Sequence, residues 1–307
     1  MSATTIKRIL TAVIVIVIFY FLINRLVRNW QHIPFATLHF NIGYLAISFA
    51  LLFVNFVFFV EGWRQIIRTL GGVITFRQAF WTMAASQTAK YIPGGIWFAL
   101  GRMYLGKSDQ LRAEAIGVSV IIETGLTFIV GAILFLFSVM ITRTSSLLSI
   151  VIMIAAFFLS MVILYPPVLQ TCIGICLRIL KKPSMQFSVS YSSILFLSVY
   201  YICLWVAQIF GFHFLINSVY AVPTARIFDI TATYTLSWMA GFVVIIAPSG
   251  LGVREGMMSL MLSSFIVTPL AIVISFLSRI WITIFELFML LIGAIFERSR
   301  SGVQPHK

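Results

Sequence analysis

The chain has 307 residues, of which 61% are hydrophobic and only 9% charged, with a mean hydropathy of +1.07. A soluble chain carries roughly 25% charged and about 45–50% apolar residues, so there is too little charge here to coat a surface facing water. The solvent must be a bilayer, and the expected class is an all-α polytopic membrane protein. Lys+Arg number 21 against 8 Asp+Glu, a net charge of +13. With no polar face to present it, this excess reads as cytoplasmic loops and affinity for anionic lipid head groups, not as a nucleic-acid surface.

Lys7 and Arg8 precede a charge-free run from Ile9 to Asn24. No small-residue cleavage site follows it, so it reads as an uncleaved first helix. A second span is expected over Asn41–Val60, closed by Glu61 and followed by a basic segment with Arg64, Arg68 and Arg77. Ala115–Ile141 is a third span with one acid, Glu123, and the charge-free stretch Thr144–Leu177 holds a fourth. Tyr191–Asn217 is a fifth. The last, Ala271–Phe296, follows Thr268-Pro269, a good helix start.

Two apolar segments do not fit single spans. Ala79–Ile92 runs into Pro93-Gly94-Gly95 and resumes at Ile96–Leu105. Halves of about 10–14 residues give roughly 15–21 Å of helix, too short for a ~30 Å hydrocarbon core. Ile227–Ala247 runs into Pro248-Ser249-Gly250-Leu251-Gly252 and resumes at Val253–Val267. Both read as broken hairpins that return to their starting side, the first as re-entrant; the halves of the second are long enough to leave full crossing open.

Six spans and two hairpins put both termini on one side. With that side cytoplasmic, it holds Lys7, Arg8, Arg64, Arg68, Arg77, Lys107, Arg112, Arg178, Lys181, Lys182, Arg298, Arg300 and Lys307, against Arg25, Arg28, Arg143 and Arg226 outside. This asymmetry obeys the positive-inside rule. The order span, span, hairpin, span then occurs twice, in residues 1–141 (hairpin 79–105) and 142–297 (hairpin 227–267), with a tail at 298–307. The two units start on opposite sides and are therefore inverted. Inverted repeats with helices broken at matching positions point to a transporter whose site lies near the midplane.

After each break a new helix begins, and its free N–H groups and positive dipole end suit an anion such as phosphate. Gly94, Gly95, Gly250 and Gly252 permit close backbone approach. Lys90 and Arg102 flank the first break, Arg254 follows the second, and Arg279 lies on the last helix. A charge at membrane depth costs roughly 2.5–3.5 kcal/mol on the lenient insertion scale, which makes these cations the candidate substrate-binding residues. Glu123, Glu255 and Glu286 are candidates for coupling or for ion pairs that pin the helices. No catalytic residue, metal site or cofactor is expected. Cys172, Cys176 and Cys203 read as packing residues, and the four histidines form no ligand motif. Gly101–Ser108 matches GxxxxGK[ST]. That motif works between a strand and a helix, whereas here a membrane segment precedes it, so Lys107 reads as marking the cytoplasmic interface.

These residues resemble a family. Lys90-Tyr91-Ile92-Pro93-Gly94-Gly95-Ile96-Trp97 with Gly101-Arg102 resembles the first signature of the flippase-like membrane domain of bacterial lysylphosphatidylglycerol synthase/flippases and their stand-alone relatives. Ala247–Gly256 resembles the second, usually P-G-G-x-G-x-R-E, with Ser249 in place of a glycine. Arg279 with Trp281 resembles the Arg-plus-aromatic stretch of the last helix. Two-domain members carry a soluble aminoacyltransferase domain after the membrane part, and this chain ends at Lys307. The resemblance thus implies lipid translocation without synthesis.

The expectation is a non-enzymatic transporter in a prokaryotic plasma membrane, both termini cytoplasmic, moving an anionic or phosphate-bearing lipid head group, phospholipid or polyprenyl-linked. The rival readings are a small-solute secondary transporter and a membrane enzyme acting on a lipid phosphate. The expected partner is membrane lipid and not nucleic acid. A second copy of the chain and a separate lipid-modifying enzyme are the candidate protein partners.

Overall fold

The computed structural model describes residues 38–92, 96–108, 111–143, 190–244 and 248–301, with isolated positions outside these ranges. Among the described residues there are eight α-helices: α1 (Ile42–Thr69), α2 (Phe76–Thr88), α3 (Trp97–Gly106), α4 (Ala113–Arg143), α5 (Tyr191–Asn217), α6 (Ile227–Val243), α7 (Val253–Leu262) and α8 (Thr268–Ser301). Single 3-10 turns cover Ala89–Tyr91, Thr224–Arg226 and Pro248–Gly250. The chain is all-helical here, as its composition requires. The expected first and fourth spans lie outside the described residues.

Four helices are long and apolar enough to cross a membrane: α1, α4, α5 and α8. They coincide with the second, third, fifth and last expected spans. α1 runs past the expected stop at Glu61 to Thr69. The acid does not end the helix because it is paired along it: Glu61 accepts from Arg64 and Gln65, three and four residues on, with Arg68 at 3.8 Å. Lipid-facing surface is plain on α8, where Ile280, Ile284, Leu287 and Leu291 are all exposed. Their spacing lays them along one stripe.

Local signals set several starts. Asn41 caps α1 by accepting from the Tyr44 N–H at 3.0 Å, Ser190 caps α5 from the Ser193 N–H at 3.1 Å, and α2 opens with a Thr75/Gln78 capping box. α8 begins at Thr268, with Pro269 in its first turn.

α1 and α5 form the central antiparallel pair. The Asn41 N–H donates to the Ser218 carbonyl at 2.8 Å, so the start of α1 and the end of α5 share one level. Farther along, the Asn55 amide donates to the Leu204 carbonyl at 2.8 Å, and Gly62 lets α1 close on Tyr200 and Tyr201. Around this pair the packing is two-fold in pattern. α2 packs on α3 and α6 on α7, α3 on α4 and α7 on α8, and α2 on α8 as α6 on α4. Each broken hairpin comes back toward its own start. Gly106, ending α3, lies against Thr82 of α2 and Trp63 of α1; Arg226, before α6, lies 5.9 Å from the ring of Phe265, after α7. The turn at Ala89–Tyr91 touches that at Pro248–Gly250, so the two breaks meet.

Candidate functional site

All eight helices contribute to a cavity of about 560 Å³. Its wall is mainly apolar and aromatic, with Phe56 and Phe59 from α1, Trp205 from α5 and Trp238 from α6. Four charged residues line it: Lys90 after α2, Glu123 on α4, Arg254 on α7 and Glu286 on α8. Ser249 and Gly250 of the second break line it too.

The second break is held by backbone contact. Gly250, at φ +69°, lies so close to α6 that an added Cβ would sit 2.5 Å from the Gly241 Cα. Gly250 must therefore be glycine for the turn to seat, and a Cβ on Gly241 would press on the Arg254 Cβ at 3.1 Å. Ser249, at φ +52°, occupies the left-handed region where a family glycine would be unstrained. Its carbonyl accepts from Arg279 at 3.1 Å. Arg254 is nine-tenths buried beside this turn. It donates to the Tyr234 hydroxyl at 2.6 Å, which also accepts from Gln208 at 2.8 Å. Among the described residues no carboxylate pairs with Arg254, and its Nε is buried without a hydrogen-bond acceptor.

The start of α7 differs from the expectation of a free helix end. The Gly252 N–H donates to Glu255 Oε2 at 2.6 Å, so the helix's own third residue supplies the carboxylate. Gly252, at φ +84°, makes the bend that allows this. Arg279 approaches Glu255 at 3.7 Å and stacks 5.6 Å from the Tyr91 ring. Neither Glu255, Gly252 nor Arg279 lines the cavity; they brace it from behind. At the first break, Gly94 and Gly95 lie outside the described residues. α3 starts at Trp97 without a side-chain cap, with Ile96, Phe98 and Ala99 on the cavity wall.

Lys90 pairs with Glu286, and the Tyr91 hydroxyl donates to the same carboxylate at 2.9 Å while meeting Thr283 at 3.1 Å. The Ala89–Tyr91 turn is thereby tied to α8. Arg102 is placed differently. Its guanidinium is wholly buried, donates to Glu123 at 2.5 Å, and lies 5.6 Å and 5.3 Å from the rings of Phe59 and Trp63. Glu123 stands between it and the cavity. Arg102 and Arg254, both expected as substrate-binding cations, are placed differently: the second lines the cavity and the first does not.

Lys107 follows the C-terminal end of α3, and Gly101–Gly106 is helical. The negative dipole end, not a loop of free N–H groups, faces this lysine, so the run is no phosphate cradle. Among the described residues no group of three or more His, Cys, Asp or Glu gathers. Tyr234, Gln208, Thr283 and Gly241 were not read from the sequence, and Tyr91 only as part of the first motif. Each meets its partner on another element, which nothing in its own segment marks.

The lysylphosphatidylglycerol synthase TM region family matches residues 8–293. The chain belongs to that family. It is a membrane protein on two grounds, the family and its four apolar helices. No curated protein matches it. The family match spans both breaks, so the hairpins and their charged residues belong to the family region rather than to an appended segment.

Proposed function

We propose that this protein moves the phosphate-bearing head group of a membrane lipid across a prokaryotic plasma membrane, the lipid tails staying in the bilayer. The observation that carries the reading is Arg254: nearly buried, at a helix break, on the cavity wall, and neutralised by no carboxylate among the described residues. A buried cation without a counter-ion is costly unless a ligand supplies one. Tyr234 accepts from both Arg254 and Gln208, which leaves its own O–H for a ligand oxygen. Lys90 adds positive charge on the same wall. Arg102 then serves indirectly, by holding Glu123 in place, and Arg279 by holding the Ser249 turn.

Packing supports an inverted repeat with re-entrant hairpins: the contacts of the four hairpin halves with one another and with α4 and α8 exchange in pairs when α1–α4 are swapped with α5–α8. With the positive-inside asymmetry this supports a cytoplasmic location for both termini. Transport rather than catalysis is supported by the state of the cavity's carboxylates, since Glu123 and Glu286 are each tied to a cation.

The test is reconstitution into vesicles holding a fluorescent phosphatidylglycerol. Wild type should expose inner-leaflet probe to an impermeant reductant, and Arg254→Ala should fall to the protein-free rate. Wild type no faster than protein-free vesicles, for phosphatidylglycerol, phosphatidic acid and polyprenyl phosphate alike, would overturn the reading.

A further inference from the structure

Glu123 and Glu286 both line the cavity, but their cations are placed differently. Arg102 is wholly buried and off the cavity wall, so an incoming ligand cannot compete for it. Lys90 is on the wall, where its ammonium pairs with Glu286. Arg254 and Arg279 place two more positive charges near Lys90. A phosphate drawn to Arg254 therefore arrives where Lys90 can turn to it. Glu286 would keep only the Tyr91 hydroxyl, at 2.9 Å. A carboxylate and a phosphate would then share one poorly screened cavity, which is costly while both are charged. A proton on Glu286 removes that cost.

We propose that Glu286 couples lipid movement to protons: it takes one proton from water as the phosphate takes Lys90, and releases it when the Lys90–Glu286 pair re-forms. The inference rests on the phosphate reading above. The charges balance, since one ligand negative charge enters with one proton and only the carboxyl O–H bond forms and breaks. Lys90 and Tyr91 face Glu286 from the turn after α2, Arg279 from α8 itself and Tyr234 from α6, while Arg254 of α7 stands near Lys90 and Glu123 of α4 lines the same cavity. Arg77 sits at the opposite end of α2, and α5 carries no Lys, Arg, Asp or Glu. Lys90, Arg254 and Arg279 thus stand against Glu286 and Glu255, and the site stays attractive to an anion after Glu286 is neutralised.

Calorimetric titration of the full chain in detergent, in two buffers of different ionisation enthalpy, counts the protons. The probes are dihexanoyl phosphatidylglycerol and, separately, inorganic phosphate, which tells a lipid site from a free-phosphate site. Wild type should take up about one proton per lipid near neutral pH, its affinity falling up to roughly tenfold per pH unit by linkage. Glu286→Gln should bind with uptake near zero. Binding by wild type with no proton uptake overturns the coupling and leaves the phosphate site standing; this arm needs no variant to fold. Uptake that survives Glu286→Gln, or that is lost only in Glu123→Gln, overturns the assignment. Failure of wild type to bind either probe overturns the phosphate reading and the coupling with it.

Discussion

Arg102 of α3 donates to Glu123 of α4 at 2.5 Å, with its guanidinium wholly shut away from solvent. Between α7 and α8 the signs are exchanged: Glu255 of α7 lies 3.7 Å from Arg279 of α8. In both, the second half of a broken hairpin is bound to the long helix that follows it. A half-helix too short to span cannot be held by lipid alone, and a buried ion pair fixes its depth.

Removing one partner of such a pair strands a charge, at a cost of about 3–5 kcal/mol. Arg102→Ala and Glu123→Ala should each lower the lipid-free melting temperature markedly. The double variant should cost less than the two singles combined, because it strands neither charge. Strictly additive melting shifts would mean that the pair contributes nothing as a pair.

Arg254 should behave in the opposite way. Arg254→Ala relieves an unpaired buried cation, so its melting temperature without lipid should hold or rise. Its affinity for dihexanoyl phosphatidylglycerol should fall by about 2–5 kcal/mol, the scale of a desolvated charge pair, with Lys restoring part of it. Tyr234→Phe should lose about 1.5–3 kcal/mol, as for a hydrogen bond to a charged group. Titration of the tryptophan fluorescence of Trp205 and Trp238 in the cavity wall reads both.

Gly250 and Gly71 make a controlled comparison. Both have positive φ, but a Cβ on Gly71 meets nothing within 4 Å, whereas one on Gly250 meets the Gly241 Cα at 2.5 Å. Gly71→Ala should cost only the left-handed backbone strain of about 1–2 kcal/mol. Gly250→Ala should unseat the break and abolish transport. Equal melting temperatures and transport rates for the two would refute the close contact.

Topology is testable with single cysteines in a background lacking Cys172, Cys176 and Cys203. Ala221→Cys, beyond the end of α5, should react with an impermeant maleimide from outside. Lys107→Cys should react only after the inner face is opened. Reversal of either places the termini outside.

The sequence by itself determined the solvent, the helical class, the extent of α5, where the helices break off on either side of both Pro-Gly segments, and the four charged residues that line the cavity. Those follow from composition, from helix length against bilayer thickness and from Pro-Gly chemistry, all local properties. It misjudged where α1 stops, because an acid read as a boundary is neutralised along the helix by Arg64 and Arg68. It also took the start of α7 as free, where Glu255 accepts from the Gly252 N–H. Only the tertiary structure decided which cation meets a carboxylate, because that depends on how α3 lies on α4 and α7 on α8. Lys90 and Glu286 are 196 residues apart and Arg254 and Tyr234 are 20 apart. No periodicity within one helix encodes a partner on another. The difference between a cation that meets a carboxylate and one that does not is therefore settled by packing alone.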